Sequence, residues 1–136
     1  MDIKRASEFM RDHHRAVLAT TRSDGRPQLS PVVVAVDDQG RALISTRETA
    51  VKTRNLARDP HASLCVFNDG FFGAWIQAEG EVEVIHLPEA MEHLEYYYRS
   101  ISGEHPDWDD YRAPMQRQRR VIVRITITRA GPDISG

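Results

Sequence analysis

The sequence lacks the features that mark several large classes of protein. It has one cysteine, Cys65, so no disulfide can form within the chain, and the composition fits a reducing compartment. No stretch approaches the roughly 18 to 20 apolar residues of a membrane-spanning helix, and residues 1–15 are charged where a signal peptide has an apolar core. We therefore expect a cytoplasmic protein with no membrane partner. The apolar neighbours of Cys65 favour a buried, inert thiol.

A strong charge of one sign and the common catalytic motifs are also absent. The formal net charge is -2, so we expect no general attraction to nucleic acid. There is no Gly-x-Ser-x-Gly, Walker or Gly-x-Gly-x-x-Gly motif, and the 6 histidines form no pair with metal-ligand spacing. These absences argue against a metal site, a nucleophilic hydrolase and a Rossmann domain.

What is present is a strand-rich pattern in a chain of 136 residues, which is the length of one domain spanning 1–136. In the stretch 74–85, residues 76–84 alternate between apolar or small and polar side chains, which predicts a strand with one buried face. Turn signals separate this strand from others predicted at 15–21, 28–36, 42–46, 62–68 and 121–128. Helices are predicted near 7–14, 49–59, 88–103 and before Gln118. The pattern is typical of a mostly antiparallel, six-stranded barrel with added helices.

A candidate anion site lies where the strand 42–46 passes into the next helix. Thr46, Arg47 and Lys52 gather hydroxyl and cationic donors there, and a helix N-terminus adds backbone N–H groups. This arrangement suits a phosphate. A solvated basic helix face would give the same composition.

The strand 28–36 is a second candidate for ligand contact. Gln28, Ser30 and Pro31 are polar or small among apolar neighbours, so the strand could line a groove for a flat ring, or be an ordinary edge strand. Trp75 lies on the polar face of its strand, where an indole is expected to pack on a ligand or a partner chain.

Three segments together resemble a known family. They are DGRPQLSP at 24–31, KTRNLARDP at 52–60 and GEHPDWDDY at 103–111. These segments are similar to those of the pyridoxamine 5'-phosphate oxidase-like split-barrel flavoproteins, and within them to the group that uses coenzyme F420. The resemblance follows the order of elements from about residue 7 to residue 128.

The resemblance implies a homodimer in which two split β-barrels form two cofactor grooves. It implies that Ser45, Thr46, Lys52 and Asn55 hold the cofactor phosphate, with Arg47 beside them. The ring is expected to lie on Gln28, Leu29, Ser30, Pro31 and Val32, and Trp75 to help build the groove. Val51 stands where true pyridoxamine phosphate oxidases typically have an arginine, so we do not expect that reaction here.

The function that follows is an oxidoreductase in which reduced coenzyme F420 transfers a hydride to an unsaturated, small organic substrate. The alternatives are an FMN-dependent oxidase or reductase on the same scaffold, and a flavin-binding or haem-binding protein without turnover. No catalytic side chain is assigned, because the cofactor supplies the hydride and the protein supplies position and electrostatics.

Overall fold

The fold is an antiparallel sheet that curls into a barrel and has helices packed against it. The computed structural model describes residues 2–133. In chain order the elements are α1 (Ile3–Asp12), β1 (Arg15–Thr21), β2 (Pro27–Val33), β3 (Ala35–Val36), β4 (Ala42–Arg47), α2 (Val51–Arg58), β5 (His61–Phe67), β6 (Trp75–Ile85), α3 (Ala90–Ser102), α4 (Trp108–Arg117) and β7 (Arg120–Asp133). The strands are ordered β2-β1-β5-β6-β7-β4-β3 across the sheet. The expected mostly-β antiparallel split barrel is confirmed. Among residues 2–133, no helix is long and apolar enough to cross a bilayer.

The sheet has seven strands rather than the six predicted, because the stretch 28–36 is divided at Val34. β2 pairs with β1, whereas β3 pairs with β4 at the opposite end of the sheet. Between them, the Val34 N–H donates to the His14 carbonyl at 2.7 Å, and the Val34 carbonyl lies 2.8 Å from a ring nitrogen of His14. Both polar backbone groups of Val34 are thus satisfied outside the strand ladder. One bent strand therefore brings the two ends of the sheet together.

This closure is incomplete, and the gap that remains is the split of the barrel. β3 reaches only Ala42 and Leu43, so residues 44–47 of β4 have no strand partner on that side within the described part of the chain. β2 likewise pairs along one edge only. Two strand edges with free backbone groups therefore diverge from Val34.

Two apolar clusters stabilise the barrel. The first fills its interior and includes the fully buried Leu18, Ile44 and Leu64. The second lies between α3, α4 and the outer side of β4 and β7, where Leu94 packs near Ile122. The apolar face predicted for the α3 segment, with residues 91, 94, 98 and 101, belongs to this second cluster.

The expectation of a buried Cys65 was wrong. Along β5 the side chains of Ala62, Leu64 and Val66 face the interior, and the alternation of the strand places Cys65 on the outer face, where it is exposed. An apolar run does not reveal by itself which of its residues lie inside.

We predict that Gly80 is required for the pairing of β6 with β7. The register shifts between Glu79 and Gly80, and a Cβ at Gly80 would overlap the backbone oxygen of Thr126. Gly80→Ala should lower the free energy of unfolding by about 3 kcal/mol or more, because the backbone must move to remove the overlap. Urea denaturation measures this. Gly70→Ala is the control, since its Cβ would approach no atom closer than 3.5 Å, and equal losses for both variants would contradict the prediction.

Candidate functional site

A groove of about 530 Å³ lies at the split between β2 and β4. Pro31, Val32 and Val33 of β2 form one wall. Ser45 and Thr46 of β4 form the other, at the point where β4 runs toward α2. The volume lies within the range of small-molecule and cofactor sites, roughly 300 to 1,000 Å³.

Positively charged side chains gather at the β4 end of the groove. Lys52 and Arg120 line it, and Arg47 lies opposite Arg120 in the pairing of β4 with β7. Burial, with Arg120 nearby, lowers the pKa of Lys52, and burial together with Arg47 lowers the pKa of Arg120. Within residues 2–133, no hydrogen bond or ion pair engages the Lys52 ammonium, and no carboxylate lines the groove. An anion bound here would relieve the repulsion among these cations.

The start of α2 adds backbone donors to the same place. Its N-cap residue, Ala50, offers no side-chain hydrogen bond to the first turn, so the N–H groups at the helix N-terminus are not capped by the chain itself. Thr53 donates its hydroxyl to the Arg47 carbonyl at 2.7 Å, which fastens the helix to the end of β4. The positive end of the helix and the cationic side chains therefore favour an anion at one position.

Tyr97 of α3 also lines the groove. Its hydroxyl donates to the Val33 carbonyl at 2.8 Å. Burial raises the pKa of Tyr97 to about 12, although the backbone of Ser45 and the charge of Arg120 act in the opposite direction. The hydroxyl is therefore protonated at neutral pH.

Arg15 and Phe67 complete the outer side of the groove. They are directly paired across β1 and β5, and Arg15 is also paired with Val33 on β2. Arg15 is joined to the loop after β5 by a hydrogen bond of 3.2 Å from its guanidinium to the Asp69 carbonyl. Phe67 provides an apolar surface beside the cationic end.

The structure brings together some of the sequence-predicted site residues and separates others. Those that line the groove are Pro31, Val32, Ser45, Thr46 and Lys52. Arg47 is exposed next to the groove. Trp75 lies one strand further out, directly opposite Phe67.

The other predicted residues on β2 do not line the groove. Leu29 is 62% exposed on the outer face of the sheet. Gln28 accepts the hydroxyl hydrogen of Thr20 at 3.3 Å, at the far end of the strand. Ser30 lies opposite Leu18, which is fully buried, and the Ser30 Oγ is buried without a hydrogen-bond partner in the part of the chain described.

Asn55 also lies away from the groove, in a buried polar network that ties α2 to β1. Its amide nitrogen donates to the Thr20 hydroxyl at 3.1 Å, and its amide oxygen accepts from Arg58 at 3.3 Å. Arg58 also donates to the Thr21 carbonyl. With Asn55 only 5% exposed, its amide is engaged by protein groups.

Sequence reasoning missed Arg15, Phe67, Tyr97 and Arg120. Arg120 belongs to a basic cluster with Arg117 and Arg119 that the sequence would equally place at the rim of a dimer interface. Tyr97 had no local signal, because its partner Val33 is 64 residues away in sequence. Only the register of the strands brings Arg15 beside Val33 and Phe67.

We predict a structural role for the Asn55 amide. Asn55→Ala should lower the free energy of unfolding by about 1 to 3 kcal/mol, because the buried Thr20 hydroxyl and the Arg58 guanidinium each lose a partner. Urea denaturation measures this loss. Arg54→Ala, at an exposed position of the same helix, is the control and should change stability by less than about 0.5 kcal/mol. A loss for Asn55→Ala as small as that of the control would contradict the prediction.

A comparison with protein families finds one match over nearly the whole described chain. The sequence model of the family described as pyridoxamine 5'-phosphate oxidase matches residues 3–131. This range includes every residue that lines the groove.

Solved structures with the same fold support this match. A conserved hypothetical protein from Mycobacterium tuberculosis has 26% sequence identity and a TM-score of 0.77, with 96% of this chain and 82% of that chain covered. A protein named F420 reductase has 21% identity and a TM-score of 0.71, covering 92% of this chain and 94% of that chain. A heme binding protein from Mycobacterium smegmatis has 19% identity and a TM-score of 0.70, with 96% of this chain but 54% of that chain covered. At these identities the last two comparisons establish likeness of fold.

Proposed function

The chain belongs to the pyridoxamine 5'-phosphate oxidase family, and from this premise we propose that it is an oxidoreductase that uses coenzyme F420 in the groove between β2 and β4. Folds of this family bind flavin-type cofactors, and the family includes oxidoreductases. The choice of F420 is supported by the resemblance of three sequence segments to F420-using members and by the likeness of fold to an F420 reductase.

The observation that carries the proposal is the cationic end of the groove. Lys52 and Arg120 are half-buried without a carboxylate in the groove, and the uncapped start of α2 lies beside them. A phosphate would supply the missing negative charge and accept from Ser45, Thr46 and Lys52. The donor set therefore fits the phosphate of a flavin-type cofactor.

The remainder of the groove suits a flat, largely apolar ring. Pro31 and Val32 form a wall on β2, and the aromatic rings of Phe67 and Tyr97 lie on other sides. The free edge of β2 offers backbone groups to the polar rim of such a ring. With the phosphate end anchored at Lys52, the ring would extend along β2.

The chain's own residues would act by binding and positioning. When bound, the reduced deazaflavin supplies a hydride to an unsaturated organic substrate. Lys52 and Ser45 would hold the phosphate end, and the wall at Pro31 and Val32 would exclude water from one side of the ring. No side chain is assigned as a proton donor.

Cofactor titration tests the proposal. We expect the purified protein to bind coenzyme F420 and to bind FMN more weakly. The variant Lys52→Ala should weaken F420 binding by about 1.5 to 3 kcal/mol, because one charge-assisted hydrogen bond is lost. Fluorescence titration measures both dissociation constants. Lys4→Ala, on α1 and outside the groove, is the matched control and should bind as the wild type does.

Three outcomes would separate the alternatives. FMN released from the purified protein on denaturation would favour the FMN-dependent enzyme over the F420 enzyme. One structural neighbour is named a heme binding protein. Haem binding by this chain, together with no cofactor oxidation by enones, quinones or nitro compounds, would favour a binding protein without turnover. An unchanged dissociation constant for Lys52→Ala would contradict the phosphate assignment.

We also propose that the protein is a homodimer and that a second copy covers the outer face of β1, β2 and β5 beside the groove. This face carries exposed apolar side chains, including Leu29, Val33 and, on the loop after β5, Phe72, which is 88% exposed. Apolar surface of this kind, continuous with a binding groove, is typical of an interface. The charge on the chain is too small for strong repulsion between copies.

A charged residue on this face should weaken the dimer. Leu29→Glu is expected to raise the dimer dissociation constant by about tenfold or more, because a carboxylate would be buried in an apolar contact. Sedimentation velocity over a concentration series measures the change. Ile3→Glu, which places the same charge at an exposed aliphatic residue of α1, should leave the dimer intact, and a wild-type protein that stays monomeric would refute the proposal.

A further inference from the structure

The corner between α4 and β7 consists of Gln118, Arg119 and Arg120, the last of which lines the groove. Arg119 has a φ of 50°, a left-handed conformation that is uncommon for a residue other than glycine. Its carbonyl accepts the Glu48 N–H at 2.9 Å, and Glu48 directly follows β4. The corner is therefore fastened to the end of the strand that forms one wall of the groove.

The side chain of Gln118 holds the guanidinium of Arg120. The Arg120 Nε donates to the Gln118 Oε1 at 2.9 Å in a partly buried position. Because every nitrogen of a guanidinium is a donor, the amide must present its oxygen here, and the bond restricts the orientation of the planar group. Within residues 2–133, this is the one hydrogen bond of the Arg120 guanidinium, and no ion pair engages it. Its terminal nitrogens are therefore left for an acceptor outside the chain.

The carboxylate at the end of β4 is directed to other partners. The Glu48 Oε2 lies 3.7 Å from the Arg119 Nη1, and its Oε1 lies 3.1 Å from the His86 Nδ1. Burial and the charge of Arg47 lower the pKa of Arg120, as expected for a cation that no carboxylate neutralises. The corner thus gives the acidic partner to Arg119 and a neutral partner to Arg120.

We propose that Gln118 is a positioning residue for the anion site: its neutral amide fixes the Arg120 guanidinium at the groove and leaves the positive charge of Arg120 for the phosphate of the ligand. This inference rests on the anion site of the proposed function. It assigns a role to a residue that does not itself line the groove and that acts through Arg120.

The neutral amide, rather than the size of the side chain, is the part that acts. Gln118→Ala would remove the acceptor, so Arg120 would gain rotamer freedom that a bound phosphate must then remove. Gln118→Glu would keep an oxygen acceptor of the same reach, but its negative charge would compete with the phosphate for Arg120. A residue that only holds the corner together would tolerate glutamate, because the hydrogen bond to Arg120 is kept.

The experiment compares these two variants in binding inorganic phosphate, by isothermal titration calorimetry in a phosphate-free buffer, and coenzyme F420, by fluorescence titration. We expect Gln118→Ala to weaken both about threefold and Gln118→Glu to weaken both about tenfold or more, as the loss of a charge-assisted hydrogen bond allows. The urea midpoint of ligand-free Gln118→Glu should be no lower than that of the wild type, because the added carboxylate relieves repulsion among the cations.

Gln116→Glu is the matched control, since it places the same charge on the same helix at an exposed residue. It should leave both affinities within about twofold of the wild type, because an exposed charge is screened by solvent and salt. If Gln118→Glu binds both ligands as this control does, the neutrality of the amide is not needed and the inference is wrong. If Gln118→Ala binds as the wild type does, the amide does not position Arg120.

Two further results separate this inference from other failures. A urea midpoint of Gln118→Glu that falls together with its affinities would show a general loss of structure and would overturn the inference. If the wild type binds phosphate but neither F420 nor FMN, the proposed function fails, while the phosphate measurements still decide the role of Gln118. A wild type that binds none of the three has no anion site, and the inference fails with it.

Discussion

The contact between His14 and Val34 is the constraint on which the barrel depends. A strand that leaves one end of a sheet and joins the other must satisfy its backbone groups at the crossing point, since an unpaired buried N–H or carbonyl is costly. His14 does this with its own carbonyl and its ring. Because Val34 is held there, the end of β2 lies near β4, and the edges of the two strands diverge from that point. The groove between them is a consequence of how the sheet closes.

The same divergence explains why charge collects at one end of the groove. β4 extends past the short β3 and leads into α2. The free edge of β4, the uncapped start of α2 and the side chains of Lys52 and Arg120 therefore lie together at a place that no other strand of residues 2–133 covers. Half-buried cations that repel one another oppose folding unless a ligand of opposite charge is bound. The site therefore carries a cost in the free protein that an anionic ligand would offset.

The polar network around Asn55 shows that a family pattern does not specify the surroundings of a single residue. Asn55 belongs to the segment at 52–60, where the resemblance implies phosphate binding, yet its amide is engaged by Thr20 and Arg58. Lys52 and Asn55, at positions i and i+3, are neighbours on the surface of α2, yet Lys52 lines the groove while the Asn55 amide bonds to Thr20 of β1. Which helix face meets the sheet is decided by packing and cannot be read from the segment.

The sequence alone determined the strand-rich class and the order of most elements, because alternation and turn residues are local features, and its basic helix start predicted an anion site at the end of β4. The split of the strand at Val34, the outward position of Cys65 and the positions of Tyr97, Arg15 and Arg120 at the groove were decided only by the tertiary structure. These depend on strand register and on contacts between residues far apart in the chain. A one-residue change of register exchanges the inner and outer faces of a strand, and no local pattern specifies which long-range partner will complete a groove.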